Sequence, residues 1–506
     1  MGRINTNVQS LIAQRVLGQN HQSLSTSLER LSTGLRINSG KDDPAGLIAS
    51  NNLGAEIASK NAAVANANRA DQVVNIAAGG LAEVSGLLTQ LQGLITSSSS
   101  AAGISDAERS ANQLQIDSIL QTVDRISTST SFQGIKLLNG NFDFKTSAVA
   151  SGVADYKINA AKFSGSANVD VLVTGSAQQG GMFLSFGAAS IDTGTGSQFT
   201  VEVGGASGSR QLTFSSSTSL TNIAAAINSF TSITGVNAKV SGTGIKLNAT
   251  DFGTSNYVSL RVVNAGNIAN SGQEGVYDLQ SNNTALAQTT VRSAFAGVNN
   301  TITNKGKDLQ ATINGVAAIT NGKTARINTD FLDVETTLTT TQSQTLGSVT
   351  STNSPHAFSI IGGGATFTLA GNVDISGKVS IGIQSVGTTA LGSQVVGYLS
   401  QLASGQNSNV VTGSTENAQK IVGAAIEQIS SLSGRLGAFQ SNTVGATVRS
   451  LGVAVENATA AQSIIRDADF ASETAGLTRS QILVNASTNV LGLANQAPQS
   501  VLQLLG

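Results

Sequence analysis

The chain has 506 residues, 28 basic and 29 acidic, for a net charge of -1. That length allows several domains, and so balanced a charge lacks the basic footprint of a nucleic-acid binder. Charged residues make up 11% and hydrophobic residues 40%, unlike a disordered polyampholyte, and the absence of cysteine excludes disulfides and thiolate metal sites.

The first fourteen residues lack the basic segment, apolar core and small-residue cleavage site of a signal peptide. The sequence therefore predicts that any export uses a route reading no cleaved signal. No apolar run approaches the ~20 residues of a membrane span, so no membrane partner is expected.

Helical patterning runs from Val8 to about Ser129. Val8 and Leu11 open it, and Leu24, Leu28, Leu31 and Leu35 step by four, three and four. Gly34 and Asn38-Ser39-Gly40 break the first helix from the second. Asp43 then Pro44 reads as an N-cap followed by the first helical position, where proline has no useful amide hydrogen to lose. Leu53, Ile57, Val64, Val74 and Leu81 hold one frame, resumed by Val84, Leu88, Leu91 and Ile95. Alternating three-and-four spacing marks a narrow coiled-coil seam, and at 1.5 Å per residue the Leu53–Ile95 segment would span roughly 65 Å. Ser105 and Glu108 form a capping box for a helix carrying Ile116, Ile119, Val123 and Ile126.

The centre is rich in Gly, Ser, Thr and Asn, with strand-like alternation. Phe199, Val201 and Val203 alternate before an expected turn at Gly204-Gly205, and Leu212 and Phe214 follow. Ile245-Lys246-Leu247 and Val258 to Val263 read as strands, Leu220 to Phe230 as a short helix. Ala311 to Val316 is a strand entering an Asn314-Gly315 hairpin turn. Phe358 to Ile383 reads as a further strand pair. Helical patterning returns from about Thr415 to Leu505, with seams at Val444, Val448, Leu451, Val455 and Ala458, then Leu483, Ala486, Val490, Leu493 and Ala497. Pro498 is expected to kink or end the last helix. The fold class is α+β: long coiled-coil-like helices from both chain ends forming a rod, with inserted β-rich outer domains.

No catalytic, cofactor-binding or metal-ligating constellation emerges. The two histidines, His21 and His356, are far apart in sequence and read as solvated positions. Asp251-Phe252-Gly253 imitates a kinase motif without its companion loops and reads as a strand end. Gly362-Gly363-Gly364 lacks the Lys-Ser/Thr of a phosphate loop. Asp42, Asp43, Asp467 and Asp469 lie where helices start or end, and read as caps. Residues 1–40 and 460–506 carry apolar seams with few partners of their own, and isolated helices of that length are marginal in water. A self-assembling subunit, ordered by its own copies, is the expectation.

Two groups of motifs sharpen this. Ile4-Asn5-Thr6-Asn7, Ser27-Leu28-Glu29-Arg30-Leu31-Ser32-Thr33-Gly34-Leu35-Arg36-Ile37-Asn38-Ser39 and Lys41-Asp42-Asp43-Pro44-Ala45-Gly46-Leu47 closely resemble the N-terminal signature of flagellins. Ile465-Arg466-Asp467-Ala468-Asp469-Phe470, Ser480-Gln481-Ile482-Leu483 and Ala494-Asn495-Gln496-Ala497-Pro498-Gln499-Ser500-Val501-Leu502 resemble the matching C-terminal one.

The resemblance implies inner-tube helices at 1–40 and 458–506, and a helical rod domain from 41–178 (with a β-hairpin) and 356–457. A variable β-rich insertion occupies 179–355, and Ser219 to Val263 is similar to a small repeat of flagellin and hook-associated insertions. Val8, Leu11, Leu24, Leu28, Leu31, Leu35, Leu483, Ala486, Val490, Leu493 and Ala497 would then form the subunit-assembly interface. Implied partners are other flagellin subunits, hook-associated junction and cap proteins, and a cytoplasmic export chaperone on the C-terminal helix, about Ser480 to Leu505. The alternative is a hook–filament junction protein, which shares such helical ends. In flagellins sensed by a vertebrate Toll-like receptor, the rod carries a charged LQRxRELAVQ-like stretch. The corresponding positions here include Leu88, Gln90, Gln92 and Leu94, with Gln115 on the next helix, so weak receptor activation is expected.

Overall fold

A computed structural model describes residues 6–100, 103–163, 165–194, 196–268, 274–279, 287–352 and 354–505. The chain divides into two compact units, one from 1–72, 368–377 and 438–506, the other from 73–367 and 378–437.

In the first unit, α1 (Val8–Thr33) starts on Asn7, whose side chain accepts from the Ser10 amide, and stops at Gly34 with φ 71°. That left-handed conformation is where glycine carries no side-chain penalty. Helix α2 (Pro44–Ser98) begins as its sequence dictates, with the Asp43 carboxylate accepting from the Gly46 amide at 2.9 Å. The two linkers run together: Arg36 N donates to the Arg466 carbonyl at 2.7 Å, and Ala468 N to that of Gly34 at 2.9 Å. Helix α8 (Gly445–Arg466) follows a π-helical turn at Phe439–Val444, and α9 spans Phe470–Leu505.

The second unit takes the rest of α2, with Val74, Leu81, Val84, Leu88, Leu91 and Ile95 buried. Helix α3 (Asp106–Ser129) opens with the expected capping box between Ser105 and Glu108, and buries Gln113, Ile116, Leu120, Val123 and Ser127. The central β structure forms two nested modules. A carrier module packs sheets around Ile158, Val169, Val171, Ile313, Val334, Phe358 and Ile360. An inserted module packs a five-stranded and a four-stranded sheet around Met182, Phe199, Leu247, Leu260 and α4 (Leu220–Asn228). Short helices α5 (Thr231–Thr234) and α6 (Thr340–Gln344) cap loops, and α7 (Thr415–Ala438) returns the chain with Ile421, Val422, Ala425, Ile429, Leu432 and Leu436 buried.

Four readings need correction. Gly204 and Gly205 do not turn the chain; they pair within Gln198–Gly205, and the hairpin bends at Ala206-Ser207. A Cβ on Gly205 would lie 2.5 Å from the Thr234 carbonyl oxygen, so glycine is there for close approach. Phe358–Ile383 is not one strand pair: Phe358–Gly363 joins Phe144–Ser147 and Ala167–Val169, whereas Ala365–Thr368 pairs with Lys378–Ile381. His356 is bonded to the Asp170 carboxylate through Nδ1, and is not merely solvated. Pro498 does not end the last helix, because α9 continues to Leu505. Proline removes one backbone donor, to the carbonyl four residues back, and that carbonyl, of Ala494, receives the Asn7 side-chain amide at 2.7 Å.

Candidate functional site

Helices α1 and α9 lie along one another in the first unit. On α1 the covered positions are Ser10, Ala13, Leu17, Asn20, Leu24, Ser27 and Leu31, alternating three and four apart. On α9 they are Glu473, Leu477, Ser480, Val484, Ser487, Leu491 and Ala494, again alternating. Each is a heptad seam, yet about half its positions are small or polar. Hydrogen bonds set the register: Asn20 Nδ2 donates to Ser487 Oγ at 2.7 Å, Ser10 Oγ to Asn495 Oδ1 at 2.7 Å, and Arg30 pairs with Glu473 at 2.9 Å.

A second set of large apolar side chains faces away from this seam. Leu11 is 58% exposed, Val490 57% and Leu493 72%. Val8, Ile12, Val16 and Leu28 on α1 are also exposed, as are Ile482, Leu483 and Ala486 on α9. Leu24, Leu31 and Leu35 are half-buried. The Ala497 side chain and the tip from Val501 to Leu505 lie outside the residues whose side chains are described. Helix α9 thus carries two heptad frames: a mixed one covered by α1, where Ser480 and Ser487 alternate with Leu477, Val484 and Leu491, and an apolar one, through Leu483, Ala486, Val490 and Leu493, left open. Sequence reading found the open frame by its leucines and valines. It named Leu24 and Leu31 of the covered seam but missed the rest, because Ser480, Ser487, Ser10 and Asn20 do not register as core, although their three-and-four spacing was legible.

The seam residues in from the ends are also placed. Leu53, Ile57 and Val64 are half-buried on α2, as are Val448, Leu451 and Val455 on α8, and Val444 is buried. Of the receptor-equivalent positions, Leu88 is buried, Gln90 and Gln115 are exposed, and Gln92 and Leu94 are half-buried. Side chains that sequence reading did not single out anchor the loop between the β modules and α7. Gln113 Nε2 donates to the Leu402 carbonyl at 2.9 Å, Asp117 accepts from Ser404 N at 2.9 Å, and Asp124 from Thr388 N at 2.8 Å. No three metal-ligating side chains cluster among the described residues, and no helix there is long and apolar enough to cross a membrane.

The bacterial flagellin N-terminal helical region matches residues 4–143, and the C-terminal helical region matches 419–505. A B-type flagellin from Pseudomonas aeruginosa is 31% identical, with 99% of both chains covered. The chain belongs to the bacterial flagellins. A flagellin of Salmonella rubislaw is 29% identical and flagellin D of Vibrio anguillarum 27%, each over 99% of both chains. A flagellin hook IN motif matches residues 198–251, which run through the hairpin Gln198–Gly205/Gly208–Ser215, α4 and α5 into the hairpin Val236–Ser241/Gly244–Phe252 of the inserted module. FliC from Burkholderia pseudomallei, a solved structure, is 13% identical with a TM-score of 0.22, covering 74% of this chain and 99% of that one. As a flagellin, the chain is a structural subunit of the flagellar filament.

Proposed function

We propose that the chain polymerises outside the cell by burying the open frame of α9, with the exposed apolar face of α1, against other copies of itself. The observation that supports this is that an apolar frame lies uncovered on the same helices whose covered seam is already filled, by leucine and valine in part and by serine and asparagine in part. Covering each Leu or Val of the open frame is worth about 1.5–3 kcal/mol, a gain the isolated chain forgoes and a lattice of copies recovers. The role is structural, not catalytic. Before export such a frame is an aggregation hazard, which fits an export chaperone covering α9 from about Ser480 to Leu505. Hook-associated junction and cap proteins would meet the same helices at the filament's two ends. Electron microscopy of purified chain after seeding or salting out tests the reading. Long uniform filaments are expected, whereas short or ring-like assemblies under all conditions would favour the junction role.

A further inference from the structure

The chain leaves the carrier module through residues 175–181 and returns from the inserted module through 302–309. At the crossing, Gln178 and Lys307 exchange backbone hydrogen bonds of 2.8 and 2.9 Å. A Cβ on Gly306 would lie 2.4 Å from the Gln178 carbonyl oxygen and 2.5 Å from that of Gly253, so backbone meets backbone there. Two side chains span the junction: Phe252, at the end of the inserted strand Gly244–Phe252, packs against the carrier core under the Lys323 ammonium, and Asp308 bonds across it. Asp308 Oδ1 accepts from Gly322 N at 2.8 Å, in the turn of the carrier hairpin Ile319–Asn321/Thr324–Asn328. The same carboxylate accepts from Thr254 N at 3.2 Å and Thr254 Oγ1 at 2.6 Å, in the loop before the inserted strand Tyr257–Asn264.

We propose that Asp308 is a latch that fixes the orientation of the inserted module on the carrier module. A carboxylate accepting from donors on two bodies makes strong, directional bonds, and neither hydrophobic core includes it. Burial disfavours its charge, but the bonds from Thr254 and Gly322 outweigh that and hold the carboxyl below its ordinary range. A cleft of about 520 Å³ beside the crossing, lined by Gly175, Ser176, Gln178, Thr254 and Thr320, gives the released elbow room to move.

The chain has no cysteine, so a Ser232→Cys, Ile319→Cys pair places one spin label on each module without background. Double electron–electron resonance on the full chain should give one narrow distance distribution. Asp308→Ala should broaden it roughly twofold while circular dichroism and melting stay unchanged. Thr254→Ala, at an exposed position, should broaden it less, and serves if Asp308→Ala fails to fold. Asp251→Ala, which removes a nearby exposed carboxylate, should leave it narrow. A distribution unchanged in Asp308→Ala, or in Thr254→Ala where that variant must decide, would overturn the latch.

Discussion

The side-chain amide of Asn7 donates to the Ala494 carbonyl at 2.7 Å, across the pair formed by α1 and α9. That carbonyl lies four residues before Pro498, which has no amide hydrogen to give it. Asn7 thus serves both helices, since its Oδ1 also caps α1 by accepting from Ser10 N at 3.0 Å. Asn7→Ala should cost about 1–2 kcal/mol, and less in a Pro498→Ala background, where the helix supplies its own donor. Thermal melts of the four chains would measure this. Equal losses in both backgrounds would reduce Asn7 to a cap on α1.

The mixed seam predicts a weakly paired monomer. With Ser10, Asn20, Ser480 and Ser487 filling positions that leucine would occupy in a strong coiled coil, the pair should open readily. Limited proteolysis of monomer should trim both ends, to a core from roughly Lys41 to Asn457, while filaments resist. Monomer ends as resistant as filament ends would contradict it.

Since Gln178 and Lys307 are hydrogen-bonded neighbours, the inserted module can be excised at its own neck. Replacing 179–306 with a short Gly linker should leave the carrier core, which draws on Ala177, Leu309 and Ala311, intact. Filaments should still form, and their absence would make the module part of the assembly contacts.

How much of this was legible follows from what each signal depends on. Local signals held: Asp43-Pro44, the Ser105–Glu108 box and the Asn314-Gly315 turn, with both φ angles positive, need only neighbouring residues to be understood. Strand partners did not, because alternation tells which face is buried but not what lies beside it. So Phe358–Gly363 found its partners over two hundred residues upstream, at Phe144–Ser147. The α1–α9 seam failed for another reason: a residue buried by hydrogen bonding, such as Ser487, resembles a solvated one in sequence. That α9 would run on past Pro498 was not legible because the remedy, Asn7, lies at the other end of the chain.

Acid should loosen the start of α3 and the turn that precedes α2. Hydrogen bonds from the Ser105 backbone and side chain hold the Glu108 carboxyl below its ordinary range, and those from the Ser39 backbone and side chain do the same for Asp42. A carboxylate depressed in the folded state stabilises above its unfolded pKa, and that contribution fades as pH falls through the folded value. Amide exchange at Ser39 and Ser105, whose N–H groups donate to these carboxylates, should therefore rise, beyond the intrinsic rate, between about pH 5 and about pH 3. Glu108→Ala should show no such rise at the start of α3, and a rise that persists there would point to another group.

Receptor activation should be weak. Gln90 is exposed and Gln92 partly so, where charged-stretch flagellins carry arginine, and neutral amides reproduce a charge-assisted contact only in part. Gln90→Arg with Gln92→Arg should raise signalling in cells bearing the receptor. Wild-type monomer as potent as a charged-stretch flagellin would contradict the idea.

The most direct measurement compares Leu493→Asp with Ser487→Ala in seeded polymerisation, followed by electron microscopy and by melting of the monomer. Leu493 sits in the open frame and is 72% exposed, whereas Ser487 lies in the covered one at 8%. Burying an unpaired carboxylate costs several kcal/mol, and that cost falls only on the assembled state. Leu493→Asp should melt like wild type yet form no filaments, and Ser487→Ala should still polymerise. Normal filaments from Leu493→Asp would show that the open frame is not the surface through which copies meet.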